Sequence, residues 1–169
     1  MAINFKKSSC LRIGPRYDVT CACITSLDGN IISWATETRY LGIYIVSSRV
    51  FKCSLHYAKC GFYRAANAIF GKVGRISSEE VVLQLVKSKC LPILLYCLEV
   101  CPLTKTDLKS LDFVINRFFM KLFRTCNIDT VKTCQLQFTF ELPSVIIEKR
   151  AKKFKDSLTK VKYTYTNHV

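Results

Sequence analysis

Cysteine is the commonest residue type in this chain that could hold a soft metal ion. The sequence has ten cysteines but only two histidines. A zinc site needs closely spaced pairs of sulfur or nitrogen ligands, and no C-x-x-C motif is present. The spacings Cys21-x-Cys23 and Cys97-x-x-x-Cys101 are weak candidates. Because the cysteines are scattered through apolar runs and we expect no signal peptide, we expect reduced, buried thiols and no metal site.

The abundance of lysine and arginine favours the binding of anions. The 169 residues include 26 Lys and Arg against 12 Asp and Glu, which gives a formal net charge of +14. Such a field favours a polyanionic partner, nucleic acid first and an anionic membrane surface second. A basic protein that is merely soluble is the plainer alternative, since net charge does not decide fold.

A helix over residues 51–73 would position several of these cations. Apolar residues recur there at spacings of three and four, which is typical of an amphipathic helix. Its polar side would carry Lys52, Lys59 and Lys72, with Arg64 near the edge of the apolar stripe. Such a face is either simply solvated or in contact with phosphate groups.

The residues before this helix indicate β structure. Residues 39–45 predict one strand with Gly42 in its middle, because β-branched and aromatic residues dominate the segment. A glycine there is typical of a bulge, or of a place where another backbone comes close. Residues 10–13 predict another strand. Residues 19–24 and 31–34 predict a hairpin, with Asp28-Gly29 supplying the positive φ of its loop.

Helical patterns dominate the rest of the chain. Ser77 with Glu80, and Thr104 with Asp107, have the spacing of capping boxes that begin helices. Pro92 should kink or divide the first of these helices. The apolar residues 91–100 predict a buried core segment that is too short to span a bilayer, so no transmembrane segment is expected. The fold class is therefore α+β, with short antiparallel strands at the N-terminal end followed by a mostly helical basic body.

Two segments near the C-terminal end carry further predictions. Residues 135–141 alternate loosely, which predicts a strand, and Pro143 follows as a stop. Residues 145–161 predict a basic amphipathic helix. Such a helix could be a nuclear-import or nucleic-acid patch, a membrane-surface helix, or the solvated outer helix of the domain.

Several motifs, taken in order, resemble one family. The motifs near the N-terminal end resemble the last part of the palm of non-LTR (LINE-type) retrotransposon reverse transcriptases, and later motifs resemble the thumb of the same family. The palm-like motifs are Asn4-Phe5-Lys6-Lys7-Ser8, Arg12-Ile13-Gly14 and Arg39-Tyr40-Leu41-Gly42-Ile43. The thumb-like motifs are residues 62–67, residues 88–96 followed by Glu99, and residues 118–123.

The resemblance covers most of the chain, to about Phe154, and implies three regions. Residues 1–47 would be a palm-end β segment with a strand like the primer grip. Residues 48–126 would be a helical thumb-like region. Residues 127–169 would be a connecting segment and a basic C-terminal helix.

The resemblance also implies roles for individual residues. Lys7 matches a lysine that is thought in related polymerases to protonate the pyrophosphate leaving group, although it could be one more surface lysine. Tyr40, Leu41 and Gly42 match the primer grip, which holds the growing 3′ end. The thumb-like helices would hold an RNA/DNA template–primer duplex through phosphate contacts. The cations expected to make those contacts are Lys52, Lys59, Arg64 and Lys72.

The carboxylates of the family's catalytic centre have no match here. Phosphoryl transfer by two metal ions needs clustered carboxylates to hold Mg²⁺, and the family supplies an early Asp and an adjacent Asp-Asp pair. This chain has no Asp-Asp dipeptide. We therefore expect an RNA-directed DNA polymerase fragment that is inactive on its own and binds no cofactor. Mg²⁺ is expected only in the complete enzyme.

The partners and location follow from this interpretation. We expect a template–primer duplex as partner, together with the missing upstream half of the polymerase, in the cytoplasm or the nucleus of the cell. One alternative is a non-enzymatic basic adaptor that binds nucleic acid or a membrane surface. The other is a relic of a mobile element without a selected function, in which apolar faces once covered by the palm lie exposed.

Overall fold

The chain divides into two compact units, Met1–Leu55 and His56–Val169. A computed structural model describes residue 4 and residues 6–26, 28–73 and 76–166. Short, mostly antiparallel strands fill the first unit, and the second unit is helical. The predicted α+β class is therefore confirmed. The first unit extends past residue 47, the predicted end of the β segment, because the last strand and Leu55 belong to it.

In the described part of the first unit, six short strands form two three-stranded sheets, with orders β1-β3-β2 and β4-β5-β6. Strands β1 and β3 are parallel, and the other pairs are antiparallel. The predicted hairpin before β3 is confirmed, although its first strand is only two residues long; Gly29 has a φ of 75° in the loop. The strands are β1 Ser9–Leu11, β2 Ile24–Thr25, β3 Ile31–Ala35, β4 Glu37–Tyr40, β5 Ile43–Val46 and β6 Lys52–Ser54.

The single strand predicted over residues 39–45 is wrong, because the chain reverses in its middle. Tyr40 pairs with Ile43, and the two residues between them form a tight turn from β4 to β5. Leu41 has a φ of 46° and Gly42 a φ of 88°. Positive φ at both central residues is the signature of a type I′ turn, whose twist suits a two-residue hairpin. Gly42 therefore belongs to a turn and not to a bulge.

The second unit begins with helix α1, His56–Val73. The predicted helix is confirmed, but it begins after the strand β6, and Lys52 lies in that strand. The placement of Lys52 on the polar face of the helix is therefore wrong. Pairing with β5 decides the conformation of these residues, since Val46 and Lys52 are partners in the antiparallel register. The apolar side of α1 is buried at Phe62 and Ala66.

The segment around Pro92 is an interrupted helix. Helix α2, Glu79–Leu85, continues through the π-helical turn Val86–Cys90 into helix α3, Leu91–Leu94. The amide of Leu91 donates to the carbonyl of Val86, five residues earlier. A proline clashes with the carbonyl four residues before it, and the wider π turn relieves this clash. The predicted interruption at Pro92 therefore takes the form of a π-helical turn.

Only one of the two predicted capping boxes is formed. At the start of α4, Lys105–Leu122, the Thr104 hydroxyl accepts from the Asp107 amide at 3.1 Å. The Asp107 carboxylate accepts in return from the Thr104 amide at 3.0 Å. At α2 the N-cap is Ser78 and its side chain makes no capping bond, so the box predicted from Ser77 is wrong. The helix starts one residue later, which moves Glu80 out of the third position that a box requires.

The strand predicted over residues 135–141 is also wrong. Helix α5, Ile128–Gln137, occupies the first part of this segment and buries Val131 and Gln135, which are one helical turn apart. The alternating apolar residues lie partly in the end of α5 and partly in the turn after it. Their alternation therefore does not indicate a strand. Helix α6, Pro143–Thr166, begins at the proline that was predicted as a stop. Proline is favoured in the first turn of a helix, where its missing N–H costs nothing.

An aromatic cluster lies in the core of the second unit. Phe119 is fully buried, and its ring centroid lies 5.0 Å from Phe140, 5.8 Å from Phe123 and 6.4 Å from Phe118. Phe118 in turn makes an edge contact with Phe62 of α1 at 6.2 Å. These contacts tie α1 and α4 to the loop before α6. Among the described helices, none is both long and apolar enough to cross a membrane.

Candidate nucleic-acid interface

A cleft of about 510 Å³ opens between α1 and the C-terminal end of α4. Tyr63 lies on the α1 side, and the α4 side is supplied by residues of the last two turns and by the turn that follows. Three of the side chains that line the cleft are cations. The lining residues are Tyr63, Arg117, Met120, Lys121, Arg124, Thr125 and Cys126.

Two of the three cations share one face of α4. Arg117 and Lys121 are four residues apart in the helix, whereas Arg124 lies beyond the helix end at Leu122 and has a φ of 51°. The Lys121 Nζ atom donates to Asn67 Oδ1 at 2.9 Å and lies 4.9 Å from the centre of the Phe70 ring. These two contacts with α1 hold the Lys121 side chain at the edge of the cleft. Arg117 and Arg124 are exposed and line the cleft.

Tyr63 gives the cleft a neutral hydrogen-bonding group. Partial burial raises the pKa of the Tyr63 hydroxyl above its ordinary value of 10.0, and the nearby Arg117 charge lowers the pKa to a smaller extent. The net shift is upward, so the phenol remains protonated at neutral pH. An aromatic ring with an O–H donor can stack on a base or donate to a phosphate oxygen.

The charge of the cleft is not balanced by acids. No Asp or Glu is among the lining residues. In the part of the chain that the structure describes, the two ion pairs lie elsewhere, between Lys132 and Asp129 and between Lys149 and Glu141. The negative end of the α4 dipole offsets part of the charge of Lys121 and Arg124. The remaining field is concentrated in a concave surface, where it attracts anions more strongly than on a flat surface.

The cations predicted on α1 are spread over different parts of that helix. Lys59 is half-buried and its Nζ atom donates to Ser110 Oγ on α4. This lysine therefore helps to join two helices. Arg64 and Lys72 are exposed on α1, but neither lines the cleft. Contact of these residues with phosphate groups stays a prediction.

The residues predicted in the first unit are not brought together into one site. The turn residues Leu41 and Gly42 lie at one end of β5, and Lys52 pairs at the opposite end. Tyr40 is 60% exposed beside the turn. Lys7 is exposed in a turn in which its amide donates to the Asn4 carbonyl at 3.0 Å. Their roles in primer holding and proton donation remain predictions.

Sequence reasoning missed Arg117, Lys121 and Arg124. The spacing of four between Arg117 and Lys121 along a confirmed helix was the available signal, because it places both charges on one face. Arg124 follows the end of α4, so helical spacing does not locate it. The position of Tyr63 opposite them could not be found in the same way. It depends on how α1 packs on α4, which is a tertiary contact between residues more than fifty positions apart.

The described residues do not fit a magnesium site. Across residues 4, 6–26, 28–73 and 76–166, no group of three or more His, Cys, Asp or Glu side chains is placed to hold a metal ion. Mg²⁺ in polymerases is held by carboxylates that converge on one point. We therefore derive no catalytic step through a metal ion from this chain.

Comparisons of this chain with known protein families, with curated proteins and with solved structures gave no match. The resemblance to reverse transcriptases therefore stays a prediction made from short motifs. Functional interpretation depends on the residues of the chain and on their geometry.

Proposed function

We propose that the helical unit binds the phosphate backbone of a template–primer duplex and that the chain is a reverse transcriptase fragment without polymerase activity of its own. The observation that supports this proposal most is the cleft lined by Arg117, Lys121 and Arg124 without an accompanying carboxylate. The order of the palm-like and thumb-like motifs supplies the second argument. The charge supplies a third, because residues 56–169 contain 19 Lys and Arg against nine Asp and Glu.

The residue types in the cleft suit phosphate. The guanidinium group of arginine can donate two parallel hydrogen bonds to one phosphate, and such charge-assisted bonds are stronger than neutral ones. Lys121 adds a compact charge, and Tyr63 adds an aromatic face. Contacts of this kind carry no base-edge readout, so binding should be independent of sequence and should weaken steeply with salt.

The proposal is tested by measuring the affinity of the full chain for a labelled RNA–DNA duplex by fluorescence anisotropy. Replacing Arg117→Gln together with Arg124→Gln removes two phosphate contacts while keeping side chains of similar length. We expect about 10-fold to 30-fold weaker binding and a salt dependence whose slope falls by about 2.

A matched control removes the same amount of charge elsewhere. The Lys132→Gln, Lys149→Gln double variant loses two cations that are already paired with Asp129 and Glu141. We expect its affinity to change less than threefold, since exposed paired cations contribute little to a distant site. An equal loss in both double variants would mean that net charge alone drives binding, and the cleft would then have no special role.

A separate experiment tests the expected absence of polymerase activity. The purified chain, incubated with a primed template, nucleotides and Mg²⁺, should not extend the primer, because the described residues offer no carboxylate cluster. Addition of nucleotides to the primer by the chain alone would contradict the fragment proposal. Binding to the duplex without extension is the expected combination.

Helix α6 supports a second candidate function, which is attachment to an anionic membrane surface. From Lys152 to Thr159 every side chain is exposed, and Phe154 and Leu158 retain 39% and 49% of their accessible surface. These two residues continue the stripe that begins at the buried Ile147. An apolar stripe bordered by lysines is typical of a helix that lies on a membrane.

This second candidate is separated from the first by vesicle sedimentation. If α6 binds membranes, the chain should sediment with vesicles that contain phosphatidylserine and remain in solution with neutral vesicles. Replacing Phe154→Ser and Leu158→Ser should abolish sedimentation without weakening duplex binding. Duplex binding that depends on the cleft, together with no sedimentation, would leave only the first function.

A further inference from the structure

A histidine and a cysteine lie one helical turn apart at the start of α1. His56 is the first residue of the helix and Cys60 is four residues later, so both side chains project from the same face. The His56 Nε2 atom is 3.6 Å from the Cys60 Sγ atom, and both residues are exposed. Two ligating atoms are therefore accessible from solvent and are already close together.

The separation of these atoms is the one that a tetrahedral metal ion imposes on its ligands. Zinc binds histidine nitrogen at about 2.0 Å and cysteine sulfur at about 2.3 Å, and a tetrahedral angle between those bonds separates the two ligand atoms by about 3.5 Å. The 3.6 Å distance found here needs almost no adjustment of either side chain. Without a metal the same distance corresponds to a weak hydrogen bond between thiol and imidazole.

We propose that His56 Nε2 and Cys60 Sγ form a two-ligand clamp for a soft or borderline divalent cation of the Zn²⁺ or Cd²⁺ class. Binding would release the thiol proton to solvent, and the imidazole proton would reside on Nδ1 so that Nε2 can donate its lone pair. Sulfur and imidazole ligands favour zinc and cadmium over magnesium or calcium, which prefer oxygen.

The surroundings of the clamp determine its strength. Within the described residues no third His, Cys, Asp or Glu completes the site, so water would fill the other coordination positions. The Tyr57 ring meets the His56 ring edge to face, with centroids 5.5 Å apart, which restricts the imidazole orientation. Two ligands supply roughly half of the coordination free energy of a four-ligand zinc site, so we expect half-saturation at about 1–100 µM.

Cadmium titration of the fully reduced chain tests this proposal directly. Thiolate binding to Cd²⁺ produces an ultraviolet charge-transfer absorption, which should saturate in the micromolar range. Cys60→Ser removes the thiolate and should abolish this absorption, and His56→Ala should raise the half-saturation concentration at least tenfold. His56→Cys keeps two ligands at the same helical spacing, so it should retain or strengthen binding, and circular dichroism should show that all three variants are folded.

Alkylation mapped by mass spectrometry locates the metal. Zn²⁺ at about ten times its half-saturation concentration should slow the modification of Cys60 about tenfold. The matched control is Cys126, which is also exposed but has Leu122 and Thr130 at the positions four residues away. Its modification rate should be unchanged by zinc.

Two results would overturn the clamp. One is an equal slowing of alkylation at Cys60 and Cys126, and the other is an unchanged Cd²⁺ affinity in His56→Ala. The clamp does not depend on the proposed nucleic-acid function, since Arg117→Gln with Arg124→Gln should leave metal binding intact.

Discussion

The two units of this chain use their apolar residues in opposite ways. In the first unit Ile32, Cys53 and Leu55 are the buried apolar residues among those described, whereas the second unit buries nineteen. Ten large apolar residues are exposed in the described part of the first unit, among them Ile31, Trp34 and Phe51. A β unit with so little core is marginal by itself, while the helical unit has the core of an independent domain.

This difference in the burial of apolar residues suggests different roles for the two units. Exposed apolar residues on several strands are typical of a surface that is covered by another part of a protein. This is the arrangement expected if residues 1–47 are the end of a palm whose remainder is missing. The relic interpretation expects the same exposure, and a partner for this surface would distinguish the two.

The largest expected effect tests whether the helical unit has its own core. Phe119→Ala removes a fully buried ring at the centre of the aromatic cluster and should lower the free energy of unfolding of the second unit by about 3–5 kcal/mol. Helical circular dichroism reports that unit, because the helices lie in it. Fluorescence of Trp34, the one tryptophan in the sequence, reports the first unit. The circular dichroism transition should move to lower denaturant while the fluorescence transition stays nearly in place.

A matched substitution in the first unit should behave differently. Trp34 is 40% exposed, and its indole N–H donates to the Ala22 carbonyl at 3.0 Å. Trp34→Phe removes that hydrogen bond but little buried surface, so it should cost about 1 kcal/mol and leave the helical signal unchanged. Because this substitution also removes the fluorescent residue, the cost is measured as faster amide exchange in β3. Equal effects of Phe119→Ala on both optical signals would show that the two units unfold together, and the comparison would fail.

A smaller effect is expected at the start of α6. The Asp112 carboxylate on α4 accepts from the Ser144 amide at 2.9 Å, which satisfies one of the free N–H groups of the helix and places a negative charge near its positive end. Asp112→Ala should therefore cost about 1–2 kcal/mol of the stability of the second unit. Asp129→Ala, which breaks an exposed ion pair with Lys132 and removes an acid from the first turn of α5, should cost about 0.5 kcal/mol. Equal losses of stability in the two variants would argue against a helix cap that Asp112 on α4 provides for α6.

Sequence patterns predicted the helical unit better than the β unit, for a physical reason. Apolar spacing reports which side of an element is buried, and α1 and α4 bury a regular stripe. The capping box at Thr104 was found because both of its bonds form within four consecutive residues. In the first unit the strands are short and half-exposed, so periodicity carries less information there.

The wrong predictions and the missed cleft have two kinds of cause, which are local turn chemistry and tertiary contacts. At Leu41 the turn lacks the Asn-Gly or Asp-Gly pair that usually announces a type I′ hairpin, so a reversal was interpreted as a continuous strand. Lys52 was assigned to a helix because its neighbours share the helical period, but pairing with β5 decided the outcome. The cleft depends on the packing of α1 against α4, which no window along the chain can show.

The smallest expected effect concerns Leu41 in the first unit. Leu41 occupies the left-handed region with a φ of 46°, where a leucine costs roughly 1 kcal/mol and asparagine or glycine is favoured. Because the Leu41 side chain is 73% exposed, its removal sacrifices little packing. Leu41→Asn should therefore stabilise the β4–β5 hairpin by about 0.5–1 kcal/mol, measured as slower amide exchange in both strands.

Leu41→Ala separates backbone strain from side-chain contacts. Alanine keeps the cost of positive φ and removes most of the exposed leucine, so amide exchange in β4 and β5 should change little. If the alanine and asparagine variants slow amide exchange equally, relief of backbone strain at position 41 is not the cause of the slower exchange. If asparagine accelerates exchange, the turn does not have the two positive φ angles described here, and a continuous strand through Gly42 becomes the better description of this segment. Because the first unit has so few buried residues, even a gain below 1 kcal/mol should be measurable in its exchange rates.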